Sequence, residues 1–363
     1  MRTLWGTVLA VEAQRAGLQR LRVDVDGSQS AALNYPALSG ACGVGDRVLL
    51  NTTAVDLGLG TGGSHLVVAR LRAGEGPDGV SLDDPSEGHV MKLRYTPLQR
   101  DVLAVESQES PHHDLLEDAD DVAGMPVVCC GLHSQLPLIA AAIKADRPRS
   151  RIAWCMTDEA ALPLALSELV PACVTAGLLD LTVSCGQAFG GDLEAVTLHS
   201  GLLAARLVGE ADVAIVGIGP GVVGTGTALG HGGIAQGEAV NAAAAVGGRP
   251  VAALRVSFAD ARERHRGVSH HTLIALSRIA LAPATVAVPR LPSIELAVIE
   301  SALADAGVWV RHTRADAGDG YRLPDTRGVP CRSMGRTPDD DPAFFAAAAA
   351  AGTVAAGMLS EHS

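Results

Sequence analysis

The chain has 363 residues, 48% hydrophobic and only 3% aromatic, and a formal net charge of −12. That length allows two or three domains around a sizeable core, which must be aliphatic and alanine-packed. The negative balance argues against a nucleic-acid or anionic-membrane binder, and every stretch of about 18 apolar residues is broken by charges or turn formers, which argues against a membrane span.

The start, with Arg2 and then Glu12 and Arg15, lacks an uninterrupted apolar core and a cleavage site, so no signal peptide is expected. Seven cysteines are spread along the chain without a CxxC, and Cys129, Cys130, Cys155 and Cys185 fall in apolar runs. Small buried thiols in a reducing cytosol fit that usage; a zinc ribbon or a redox motif does not.

Residues 7–11, 21–25, 47–52 and 65–69 are short strand-like runs, separated by turns such as Asp26-Gly27 and the glycines at 60–63. Strands without intervening helices predict a small β-barrel or β-sandwich over residues 1–105. Residues 73–89, rich in Gly, Asp, Pro and Ser, read as a loop. Residues 91–95 and 102–106 are candidate further strands, and 106–125, with its acidic run, is read as a linker.

From Pro126 the pattern changes. Apolar runs at 127–130, 151–155, 181–185, 213–216, 251–256, 285–288 and 308–312 alternate with helical segments, among them 162–176, 192–208, 271–280, 295–306 and 341–356. Alternation of this kind predicts an α/β, Rossmann-like domain over 126–363: a mainly parallel sheet with helices on both faces and right-handed crossovers.

In such a sheet, ligands sit at the carboxyl ends of the strands. The most prominent strand-end segment follows residues 213–216 and runs Gly219-Pro220-Gly221-Val222-Val223-Gly224-Thr225-Gly226-Thr227. It matches G-x-G-x-x-G formally. However, further glycines intervene before any helix, Pro220 removes one N–H, and no Gly-Lys-Ser/Thr follows, so neither a dinucleotide fingerprint nor a Walker loop is established. Glycine backbone and the hydroxyls of Thr225 and Thr227 suit a small anion; a packed connector is the plain alternative. His133 and Ser134, and Gln187, stand at two other strand ends and are candidate ligand contacts.

Two acidic residues, Asp192 and Glu194, follow Gly190-Gly191; each is a candidate acid, base or metal ligand, or a simple helix cap. The densest polar run, 260–272, carries Arg262, Arg264, Arg266, His265, His270 and His271. These histidines are candidate acid/base groups, since imidazole titrates near neutral pH. The spacing His-x4-His-His is no standard zinc signature, so sequence specifies neither a metal nor a cofactor. There is no G-x-S-x-G elbow, and no cysteine stands in a nucleophile's context.

Residues 185–196, 219–227 and 265–272, together with 91–99, resemble a bacterial family, frequent in actinobacteria, catalogued as a domain of unknown function. The resemblance covers most of the chain. It implies a cytoplasmic bacterial protein and supplies no activity to transfer. The expectation from the residues is therefore a small-anion site (phosphate, nucleotide or carboxylate) at the strand carboxyl edge, in an enzyme using histidine acid/base chemistry or in a non-catalytic binding module. The alanine-rich helices could pack internally or form a homo-oligomer interface.

Overall fold

A computed structural model describes residues 1–58, 62–73 and 88–360. The turn expected at 60–63 lies partly, and the loop expected at 73–89 mostly, outside the described residues. Two compact units divide the chain, Met1–Val102 and Leu103–Ser363.

The first unit holds a closed barrel of β1 (Thr3–Arg15), β2 (Leu18–Val25), β3 (Ser28–Asn34), β4 (Arg47–Asn51) and β5 (Ser64–Leu71), in the order β1-β2-β3-β5-β4. Only β3 and β5 run parallel. Irregularities at Val8/Ala10 and Val11/Ala13 let the long β1 bend and pair on both sides. Val8, Leu21, Val23, Val48, Leu50 and Val67 fill the interior. The sequence reading had no β3, because Ser-Gln-Ser-Ala-Ala-Leu-Asn lacks an apolar alternation. A hairpin of β6 (Val90–Lys92) and β7 (Arg100–Val102) completes the unit.

In the second unit the strands are β8 (Pro126–Cys129), β9 (Ile152–Thr157), β10 (Leu181–Cys185), β11 (Leu193–Ala195), β12 (Val213–Ile218), β13 (Arg249–Ala253), β14 (Val256–Ser257), β15 (Gly267–Val268), β16 (Thr285–Pro289) and β17 (Thr313–Ala317). Eight of them form one parallel sheet, β11-β10-β9-β12-β8-β13-β16-β17, while β14 and β15 make a separate antiparallel ribbon. The fold is α/β. Val213 and Ile215 point into a core shared with Leu138, Ile139 and Phe345. Ala214 and Val216 point the other way, to Leu202, Val240 and Leu303. Helices Leu136–Asp146, Leu169–Thr175 and Pro342–Gly357 thus cover one face, and Leu198–Leu207, Ala235–Ala245 and Ser293–Asp305 the other. Among the described residues no helix is long and apolar enough to cross a membrane.

Several local expectations change. Residues 192–208 are not one helix: β11 comes first, because Glu194 and its neighbours pair with β10, and the helix starts at Leu198 after a Thr197 cap. Residues 162–176 give a single turn, Leu164–Leu166, and a shorter helix, Leu169–Thr175. The run 308–312 forms a turn, and the strand is the polar Thr313–Ala317, the sheet's last member. Residues 271–280 divide into helix His270–Ile274 and a π-helical turn, Ala275–Ile279. Residues 106–125, read as a linker, bury Leu116 and Val122 in the α/β core, and the Val122 N–H donates to Val246 at 2.9 Å.

Helix Pro342–Gly357 lies almost wholly inside the unit; most of its alanines are buried, together with Phe344 and Phe345. Its contact with helix Leu136–Asp146 is close because Gly352 has no side chain. A Cβ there would run into the Ile139 carbonyl and stand 2.8 Å from the Ala142 Cβ. Gly352→Ala is expected to lower unfolding stability by about 1–3 kcal/mol through overpacking. Gly357→Ala, whose Cβ would meet nothing within 4 Å, is expected to be neutral or stabilising by up to about 1 kcal/mol. Urea unfolding of both variants checks the pair.

Candidate functional site

Strand β12 is buried throughout and ends against Gly219, where a Cβ would strike the Ala161 carbonyl. From here the chain makes an exposed excursion to residue 230. Gly221 and Gly226 take φ of 91° and 80°, which glycine adopts without strain. The excursion closes on itself. Thr225 N–H donates to Gly230 O (2.9 Å), Thr225 Oγ1 donates to the same carbonyl (2.9 Å), and Gly230 N–H donates to Thr227 Oγ1 (3.0 Å). The threonine hydroxyls therefore stabilise the loop. Gly224 forms a bridge with His231, and a Cβ on Gly224 would sit 3.7 Å from the His271 ring. So the glycine-rich loop delivers His231 to the histidines of the following segment.

Those histidines converge. His231 stacks on His271 with ring centroids 3.8 Å apart and planes 4° off parallel. His270 lies 4.4 Å from His271 and 5.3 Å from His231; His265 lies 4.9 Å from His271 and 5.1 Å from His270. Ser269 organises the segment: it caps helix His270–Ile274, and its hydroxyl bonds His265 Nδ1 at 2.8 Å. One ring nitrogen from each of His231, His270 and His271 lies within 4.8 Å of the others.

An ion network, buried at Arg255, Asp260 and Asp341, backs the cluster. Arg255, 4% exposed, follows β13 and points its NH1 at His271 Nδ1 (3.4 Å). Among the described residues its nearest carboxylate is Asp260, at 4.0 Å. Asp260 instead receives Arg262 at 2.9 and 2.8 Å and Arg336 at 3.3 Å, and Asp341 receives Arg336 at 3.0 Å and the Ser257 hydroxyl at 2.7 Å. The hydrogen bonds from Arg262 hold the Asp260 carboxyl far below the usual range. Three guanidiniums thus face two carboxylates, leaving one positive charge unmatched.

Burial and the Arg255 charge lower all four imidazoles, His265 to about 3. At neutral pH the cluster is uncharged and can accept protons or coordinate.

The other candidate residues make hydrogen bonds away from the four imidazoles. Asp192 Oδ2 accepts from the Thr182 N–H and hydroxyl, and Glu194 Oε1 accepts from the Gly190 N–H. Both pin the turn into β11, separated from β12 by β10 and β9, so they do not join the histidines. His133 is buried with both ring nitrogens engaged, by Ile218 O (3.0 Å) and Ser167 Oγ (2.7 Å). Ser134 bonds Ser333, and the Gln187 N–H donates to Asp158. Sequence reasoning missed His231, Arg255, Arg336 and Asp341. For Arg255 a signal existed, a charge interrupting the apolar run 251–256; the others have none, because tertiary contact alone unites them.

Burial lowers His133 to about 4. It is neutral in the fold and protonatable when unfolded, so its contribution is intact above about pH 6.5 and is lost as pH falls from there to about 4. Unfolding stability followed across that window should fall by roughly 3 kcal/mol from this group alone, and His133→Gln should flatten the slope.

No curated protein and no solved structure matches the chain. A family does, over residues 31–352, and those residues include the whole histidine cluster and its ion network. The chain belongs to the family described as Protein of unknown function (DUF3866).

Proposed function

We propose that the carboxyl edge of the sheet binds a small anion, a phosphate, nucleotide or carboxylate, beside the histidine cluster, with Arg255 as its counter-charge. The observation that carries this reading is Arg255: it is buried to 4% exposure, yet among the described residues no carboxylate comes nearer than 4.0 Å. A buried guanidinium so loosely matched suits an incoming anion, to which its planar fork can bond twice. The glycine-rich loop beside His271 is exposed, and a Cβ at Gly221 or Gly226 would meet nothing within 4 Å, which supports access.

If the bound anion reacts, a neutral imidazole of the cluster that holds no metal is the proton carrier. One feature favours the non-catalytic reading. Among the described residues no carboxylate hydrogen-bonds any of the four imidazoles, so the orienting partner of an acid/base pair is missing. Binding is therefore the core of the proposal, and turnover its extension. A cytoplasmic setting belongs to the same reading, supported by seven free cysteines, six of them buried.

A thermal-shift series against inorganic phosphate, nucleotides and small carboxylates tests this. At about 100 times its dissociation constant the right class should stabilise the chain by roughly 2.7 kcal/mol. Arg255→Lys should weaken the shift and Arg255→Met remove it. The reading fails if no class stabilises the wild type, or if the shift survives in Arg255→Lys and Arg255→Met unchanged.

A further inference from the structure

We infer that His231, His270 and His271 form a site for a divalent transition metal of the zinc class, with a fourth position left for water or an external ligand. Three observations carry this. The first is tautomeric. His231 Nε2 faces the Ala228 carbonyl at 3.1 Å. A carbonyl only accepts, so the proton sits on Nε2 and Nδ1 carries the lone pair. A carbonyl behind the distal nitrogen is the usual support of a metal-bound imidazole.

The second is the state of the inward-facing atoms. His231 Nδ1 and His270 Nε2 are both buried without a hydrogen-bond partner, and His231 is only 6% exposed. Buried polar atoms are almost always partnered. Two orphan imidazole nitrogens in one cluster therefore point to something that fills the space between them.

The third is room. Gly233 stands where the stacked rings expose their Nδ1 atoms: a Cβ there would lie 3.1 Å from both His231 Nδ1 and His271 Nδ1. The contact of Arg255 NH1 with His271 Nδ1, 3.4 Å, is long and is the one a metal on that nitrogen would replace. The three ligand nitrogens lie within 4.8 Å of one another. Bonds of about 2.0–2.1 Å in tetrahedral geometry require roughly 3.4 Å between them, a closure of about 1–1.5 Å by ring rotation.

Ligand chemistry selects the ion. Three neutral nitrogens suit zinc, cobalt, nickel or copper, whereas calcium and magnesium require oxygen ligands. Three protein ligands with one position open is the arrangement of reactive rather than purely structural zinc sites. His265 stays outside the set, with Nδ1 held by Ser269. The inference stands without the anion reading, since it concerns metal alone.

The test is titration of the full chain with cobalt(II) in buffer free of phosphate and carboxylate, followed by visible absorption, with calorimetric titration of zinc(II) in parallel. One ion per chain is expected, with the intense visible bands of four-coordinate cobalt. His231→Ala, His270→Ala and His271→Ala should each weaken binding by at least about a hundredfold, and the exposed His199→Ala should leave it unchanged. His270 is half-buried, so its variant should remain folded if a core variant does not. Absence of cobalt bands and of zinc heat in the wild type would overturn the inference, as would affinity unchanged in a folded His270→Ala.

Discussion

The second unit depends on how it accommodates buried charge. Asp260 and Asp341, 3% and 1% exposed, lie under Arg255, Arg262 and Arg336. Removing either buried carboxylate from such a network leaves more positive charge uncompensated, which is far more costly than the pairing is favourable. The network thereby fixes relative positions. Arg255 belongs to the end of β13, Asp260 and Arg262 to the segment that leads into the histidines, and Asp341 to the start of helix Pro342–Gly357. The histidine segment is held between the strand end and the chain's last helix.

Small residues make that arrangement possible. Bare positions occur where backbone meets backbone or ring: Gly219 against Ala161, Gly233 against His271, Gly352 against Ile139. The aliphatic composition follows from the same demand. Side chains of low volume let helices lie close to the sheet and to each other, and they leave polarity concentrated at the strand ends. The glycine-rich loop has its place in this scheme. Its threonines bond back to Gly230, and its length lets His231 return beside His271, which is 40 positions further along the chain.

What could be read beforehand follows from burial. Strands buried on both faces, β8 and β12, are continuous apolar runs, and the alternation with helices reveals the parallel sheet. The barrel's β3 and the polar β17 carry no such mark, because a strand with one face or edge in water need not be apolar. At the site, the run 260–272 announced itself by density of charge, and His265, His270 and His271 do meet. His231, Arg336 and Asp341 belong to the same cluster only through contacts between distant parts of the chain. Asp192 and Glu194 are plausible acids by position and composition; that one oxygen of each is engaged, by Thr182 and Gly190, is a matter of hydrogen-bond geometry, which no spacing encodes.

The Ser257–Asp341 bond spans 84 positions, and Ser134 reaches Ser333 across 199. Closing such long loops costs chain entropy before any contact compensates it, and a topology with so many distant pairings condenses slowly. The charge network cannot close until Arg336 and Asp341 join Ser257 and Asp260. During synthesis the network is complete only after Arg336 and Asp341 have been made. A chain that stops short of Arg336 therefore carries the histidines without the full network that backs them.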